Sequence, residues 1–302
     1  MQYSTFAAID IGSYDVILEI FEISKKQGIR SVDKICHRME LGKDTYTLGK
    51  IRPEMEEELC RVLADFVRIM EGYRVDDYRA TASSAISEAS NSLYVLGKIH
   101  QLTGLSVTVL SNSEQRFLSY KALAAMEDNF NKIIEKGTAI LDLDGGSFQI
   151  SLFDKDALVT TQNIRMGSLR IRERLAGIQS ETEHYEEMVE ELIWNEVSSF
   201  KKMYLKDRKI ENIMLIGDVF TDSVYQNIEE KTTKIISREN FNTWYEKIIR
   251  QSPMELAVKL GIPLENASLM YPSAVIYKCL IDMMGAEHIW IPGVHMTRGI
   301  AY

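Results

Sequence analysis

The sequence predicts an α/β protein of two related domains, each opening β-β-β-α-β-α and facing the other across a cleft. Three observations lead there. A short pattern occurs twice, FAAIDIGSYDVILEIFEI around Asp10 and TAILDLDGGSFQISLF around Asp142: an apolar run, an aspartate, a turn of small residues and a second apolar run. The second copy lies one domain length after the first and heads an equivalent series of elements. The 302 residues, 45% hydrophobic and 26% charged, suffice for two cores.

In the first half, 6–11, 16–23 and 29–38 read as strands joined by the Gly12 turn and a loop at 25–28. Residues 42–49, punctuated by glycine at both ends, read as a loop. Pro53 then opens a helix whose Leu59, Leu63, Phe66 and Met70 keep a 3.6-residue period until Gly72. A strand at 77–82, a helix at 84–103 broken near Asn91, a strand at 107–110 and a helix capped by Ser113 and ending near Met126 complete it. The polar stretch 127–137 marks the boundary, giving domains 1–126 and 127–302. The second half repeats the opening as strands 138–143, 148–154 and 157–164. A long helix at 181–205 follows, then a buried strand at 212–216, helices at 238–251, 254–260 and 272–284, and a strand at 289–291.

Each turn is rich in small residues, Gly12 and Ser13 in the first copy and Gly145, Gly146 and Ser147 in the second. Such turns leave backbone N–H groups open to an anion. The flanking carboxylates, Asp10 and Asp142, suit a cation held directly or through water. A single copy is better read as a hairpin with an ordinary glycine turn; the repetition at the head of two halves weighs against that. The net charge of −9 argues against non-specific nucleic-acid binding, so a phosphate site must be local. Cys36, Cys60 and Cys279 are widely spaced in apolar surroundings and read as buried free thiols in a reducing compartment. The amino-terminal residues form no cleavage signal, no apolar stretch approaches 18 residues, and the expected setting is the cytoplasm. The five histidines form no metal-binding pair, and no metal is assigned to them.

Two halves built this way resemble the actin, sugar-kinase and heat-shock ATPase superfamily, with actin-like (ribonuclease H-like) domains. A finer resemblance, to the Ppx/GppA family of exopolyphosphatases and guanosine pentaphosphate phosphohydrolases, covers essentially the whole chain. It rests on AAIDIGS (7–13), ATASSAISEASN (80–91), TGLSVTVLSNSEQ (103–115), ILDLDGGSFQISLF (140–153), RMGSLRIRERL (165–175), LGIPLENASLMYPSAVI (260–276) and MGAEHIWIPGVHMTRGI (284–300). Longer members continue into a helical HD-like domain near where this chain stops, which leaves an N-terminal fragment and a short member as alternatives. The resemblance implies that water attacks the terminal phosphoryl group of a phosphoanhydride chain. Mg²⁺ and the glycine turns would gather the charge while carboxylates handle the water.

The departures from that pattern bear directly on the chemistry. The family's catalytic glutamate aligns with Gln115, beside Glu114, and a second acidic residue aligns with Gln149. An arginine expected to meet phosphate is Ser87, and the asparagine after the first Gly-Ser is Tyr14. Asp144 replaces the first glycine of the second turn, where its charge repels phosphate unless a metal intervenes; an aspartate tolerates the left-handed backbone such a turn can require. Asp144 thus joins Asp10 and Asp142 as a candidate metal ligand. A glutamine cannot act as general base, a loss typically of about 10²–10⁴ in rate, although it can orient water as in small GTPases. Arg165, Arg170, Arg172 and Arg174 read as a solvated helix face, with Arg165 and Arg170 as candidate phosphate contacts and Arg170 as a substitute for the missing arginine. Gly217 and Asp218 stand where the superfamily contacts a nucleotide.

The leading reading is a protein that binds polyphosphate or guanosine penta- or tetraphosphate, with Mg²⁺ as cofactor and hydrolysis weak or lost. One alternative is a working exopolyphosphatase that uses Gln115-positioned water or Glu114. The other is a non-enzymatic alarmone-binding regulator whose domain closure a partner reads. A second copy of the chain is a further partner to test; nucleic acid and membrane are not expected.

Overall fold

Each duplicated apolar run becomes the central strand of its own sheet. The computed structural model describes residues 3–26, 28–126, 130–176, 185–206, 208–217, 219–227 and 235–302. Within the expected elements, 127–129 of the boundary stretch, 181–184 of the long helix (with His184) and Asp218 lie outside the described residues. The chain divides into two compact units, Met1–Ala122 with His295–Tyr302, and Leu123–Val294.

In the first unit β1 (Ser4–Ile11), β2 (Asp15–Ser24) and β3 (Gly28–Arg38) form an antiparallel meander. After α1 (Leu41–Leu48) and α2 (Pro53–Gly72), β4 (Asp77–Ala82) pairs parallel to β1. Then come α3 (Ser84–Ser87), α4 (Ser92–Thr103), β5 (Val107–Val109) and α5 (Asn112–Met126), and the sheet order is β3-β2-β1-β4-β5. Strand β1 is an unbroken apolar run because both its faces are covered. Ala7, Ile9 and Ile11 pack with Leu59, Leu63 and Phe66 of α2 and Val95 and Ile99 of α4, while Ala8 packs with Phe21, Leu118 and Ile300.

The second unit holds α6 (Phe130–Ile134), the meander β6 (Thr138–Leu143), β7 (Phe148–Asp154) and β8 (Ala157–Ile164), then α7 (Ser168–Leu175) and α8 (Tyr185–Phe200), which runs on as a π-helical segment, Lys201–Leu205. Strand β9 (Asn212–Ile216), α9 (Val219–Asn227), β10 (Ile235–Ser237), α10 (Arg238–Ile249), α11 (Pro253–Leu260), α12 (Leu264–Met284) and β11 (His288–Trp290) follow. Its sheet runs β8-β7-β6-β9-β11 with β10 added at the edge. That is the first sheet's order plus one strand, the ribonuclease H-like arrangement twice over. The final helix, α13 (Met296–Ala301), belongs to the first unit. Thr297 bonds Glu19 there, and Gly299 lies so close to α5 that an added Cβ would meet the Leu118 carbonyl oxygen at 2.1 Å.

Several expectations need correction. Residues 42–48 belong to helix α1, not to a loop: Asp44 is buried and accepts from the Arg52 backbone N–H and Nε, Thr45 donates to the Ala85 carbonyl, and Gly49 ends the helix with φ 72°. Pro272 lies inside α12, which starts at Leu264, because burial of Met270, Ala274, Val275 and Ile276 around it outweighs the lost backbone bond, worth about 3 kcal/mol. Cys36 is exposed on β3. Strand β10 was not anticipated. The break near Asn91 is present, between α3 and α4.

Candidate functional site

Asp10 is the penultimate residue of β1, and the chain leaves the strand through a two-residue turn closed by the Gly12 N–H bonding the Asp15 carbonyl at 2.9 Å. A Cβ at Gly12 would stand 2.9 Å from the Asp15 carboxylate and 3.0 Å from its carbonyl oxygen, so a larger residue crowds the turn. Ser13 is fully buried, and its carbonyl takes the Gly42 N–H at 2.7 Å. Its Oγ lies 2.7 Å from the Tyr46 hydroxyl, which lies 2.8 Å from Ser84 Oγ. Three hydroxyls thus meet at the first turn, with Tyr46 brought there by α1, whose flanking glycines resemble a loop in sequence. Tyr14 turns inward: it is 8% exposed, with the Arg38 guanidinium 5.7 Å from its ring centroid. Arg38 also bonds Asp15 at 2.8 Å. Burial nonetheless pushes the Asp15 pKa up, against the opposing pull of Arg38. Thr81, opposite Asp10 on β4, approaches its carboxylate at 3.5 Å.

The second turn has the same frame, closed by the Asp144 N–H bonding the Ser147 carbonyl at 2.9 Å. Its amides are less open than the sequence suggests, because Asp144 Oδ1 accepts the Gly145 N–H at 2.6 Å. The left-handed backbone allowed for Asp144 is not used; the described non-glycine residues with positive φ are Arg74, Lys155 and Asp156. Helix α7 is fastened to this turn: the Ser168 N–H bonds the Asp144 carbonyl at 3.2 Å, the Arg170 N–H the Gly145 carbonyl at 3.0 Å, and Arg170 Nε the Gly146 carbonyl at 2.9 Å. Gly217, with φ 105°, closes in from β9, where a Cβ would lie 2.6 Å from the Asp142 carboxylate.

Asp142, Gln149 and Asn163 stand side by side across β6, β7 and β8. Gln149 is 5% exposed, and its Oε1 has no hydrogen-bond partner; Asn163 Oδ1 and Ser168 Oγ are also buried without one. Unpaired buried acceptors are costly, and oxygens beside a carboxylate suit a hard cation or its water. Among the described residues no three His, Cys, Asp or Glu side chains gather as a metal-holding group, so a cation would draw on amide oxygens as well as Asp142. Asp144 already has one carboxylate oxygen engaged by Gly145.

The other candidates separate by burial. Gln115 is buried in the first turn of α5. Glu114 faces out and completes a capping box, accepting from the Ser111 N–H at 2.8 Å and Ser111 Oγ at 2.7 Å; Ser111, not Ser113, therefore caps the helix. Those hydrogen bonds lower the Glu114 pKa. Ser87 is exposed at the end of α3, and Arg165 is exposed between β8 and α7. Arg172 pairs with Glu173 and reaches Ser268, so part of the basic face is structural.

The model of the Ppx/GppA phosphatase family matches residues 19–302. The chain belongs to that family. This Ppx/GppA protein is 21% identical over 310 residues to a bifunctional 3-dehydroquinate synthase/phosphatase of Fusobacterium nucleatum, covering 94% of the chain and 44% of that protein. It is 24% identical over 144 residues to exopolyphosphatase 1 of Mycobacterium tuberculosis, covering 47% of the chain and 40% of that protein. The chain thus spans less than half the length of these relatives. The crystal structure of an exopolyphosphatase from Cytophaga hutchinsonii superposes with TM-score 0.88 at 16% identity, covering 99% and 97% of the two chains. That of the Aquifex aeolicus Ppx/GppA family member does so with TM-score 0.78 at 18% identity over the same shares. These likenesses show the fold. Among the described residues no helix is long and apolar enough to cross a membrane.

Proposed function

We propose that this Ppx/GppA protein binds a phosphate chain, polyphosphate or guanosine penta- or tetraphosphate, through its glycine-serine turns, and that its terminal hydrolysis is weak or lost. The reading is for a cytoplasmic protein. The observation that carries it is Gln149, a buried amide beside Asp142 whose Oε1 lacks a partner. That oxygen can accept from a water, but it cannot take the water's proton. Asp142 and Gln149 would hold Mg²⁺. Bound there, the ion would neutralise phosphoryl oxygens and fix their orientation. The chain's own residues position the ligand: the half-buried Tyr46 and Ser84 hydroxyls beside the Gly12–Ser13 turn offer donors to phosphoryl oxygens, and Arg170 stands at the second turn. One observation favours a working hydrolase as second reading: Gln115 is buried on the first turn of α5, where a fixed amide can orient a water.

Phosphate release from long polyphosphate, pppGpp and ATP, run beside Gln115→Glu, tests the proposal together with calorimetric binding of the same ligands. Binding of a phosphate chain with little release is expected. Failure to bind any of the three removes the proposal, and fast release by the wild type favours the second reading.

A further inference from the structure

We propose that the Asp144 carboxylate occupies the anion position of the second turn, so that this turn rejects phosphate and phosphate recognition falls to the first. The inference rests on the phosphate-chain reading and narrows it. The two turns share one frame, closed by the equivalent bonds from Gly12 to Asp15 and from Asp144 to Ser147. Gly12 and Asp144 therefore hold the same position. In the first turn that position carries no side chain, and the Asp15 carboxylate that a Cβ there would meet at 2.9 Å is paired with Arg38 at 2.8 Å. In the second, Asp144 Oδ1 receives the N–H of the next residue, Gly145, at 2.6 Å. An amide directed at its own carboxylate is not available to a phosphoryl oxygen.

The turn is also held in place from its carbonyl side. The carbonyls of Asp144, Gly145 and Gly146 take the Ser168 N–H, the Arg170 N–H and Arg170 Nε. Arg170 is thus spent partly on holding the turn. Gly167 fixes the arrangement, since a Cβ there would meet the Asp144 carbonyl oxygen at 2.3 Å and Ser147 N at 2.4 Å. An incoming phosphate would have to displace a carboxylate from a half-buried site and then stand beside its charge.

The test uses the full chain and inorganic tripolyphosphate, with EDTA present to exclude metal bridging. Amide hydrogen exchange at Gly145 and calorimetric affinity are measured for wild type, Asp144→Gly and Asp144→Asn. The proposal expects Gly145 to be protected in wild type and to exchange at least about tenfold faster in Asp144→Gly. Tripolyphosphate should bind Asp144→Gly at least about tenfold more tightly and restore protection at Gly145. Asp144→Asn keeps an acceptor oxygen without the charge, so its affinity should fall between the two. Equal exchange at Gly145 in wild type and Asp144→Gly overturns the proposal. So does measurable binding that Asp144→Gly leaves within about twofold of wild type. If no version binds tripolyphosphate in EDTA, nor when Mg²⁺ replaces it, the phosphate-chain reading falls, and the Gly145 exchange result alone supports or overturns the occupancy by Asp144.

Discussion

Gly167 approaches Asp144 so closely that a Cβ on the glycine would lie 2.3 Å from the aspartate's carbonyl oxygen. The next nearest atoms, Gly145 C and Ser147 N, are both at 2.4 Å and are also backbone, so no flexible side chain can swing aside. The φ of Gly167, −75°, suits any residue, and the constraint is therefore contact and not conformation. Gly167→Ala should cost about 1–3 kcal/mol by forcing α7 off the second turn. Urea unfolding measures it, and a change under about 0.5 kcal/mol would show that the turn relaxes freely.

Glu114 is held by Ser111 as a cap, which predicts a structural role. Hydrogen bonds from the Ser111 backbone and hydroxyl lower its folded-state pKa below the ordinary 4.5. A carboxyl with a depressed folded pKa contributes stability that is fully present above the unfolded value and fades as pH falls through the folded one. Glu114→Gln should therefore remove an acid-side pH dependence of stability, below about pH 4.5, and leave neutral-pH phosphate release unchanged. Ser111→Ala should destabilise by about 1 kcal/mol. Loss of release in Glu114→Gln would make Glu114 the base after all.

The strands at both aspartates are legible in sequence because each apolar run ends at a turn residue, and burial of both faces leaves no polar alternation to confuse it. Helix α1 is not legible. Its glycines mimic a loop, and it is stabilised by contacts far along the chain, Asp44 with Arg52 and Thr45 with Ala85. Tyr46 was missed with it. The Ser111-x-x-Glu114 spacing does mark the true cap of α5, a local signal that the neighbouring Ser113 obscured. The closing of Gly167 onto the second turn and the capture of the Gly145 amide by Asp144 arise only when separate segments meet or a rotamer is chosen, so sequence carries no trace of them.

Cys36 should react slowly despite its exposure. Desolvation, and next the Asp15 carboxylate 3.6 Å from its sulfur, push its pKa up to about 11, so little thiolate exists at neutral pH. Asp15→Asn removes the repelling charge and should speed alkylation by iodoacetamide at pH 8 about threefold or more, read by mass spectrometry of the Cys36 peptide. An unchanged rate would leave desolvation alone as the cause.

The last prediction concerns turnover. With amides at 115 and 149, terminal phosphate release should run at least about 10² below an active family member. Gln149→Glu introduces a buried carboxylate next to Asp142, and two such charges resist joint ionisation unless a cation stands with them. Its gain in rate should therefore appear with Mg²⁺ and vanish with EDTA, whereas Gln115→Glu acts on the water. The double variant should exceed either single one, and Ser87→Arg should change mainly affinity. Steady-state phosphate release from polyphosphate, with and without Mg²⁺, decides it. Fast release by the wild type would show that other residues carry the chemistry. Restored carboxylates without a gain would instead indicate a site rebuilt for binding, with Asp144 seated in the second turn and Tyr14 folded into the core in place of a phosphate-facing side chain.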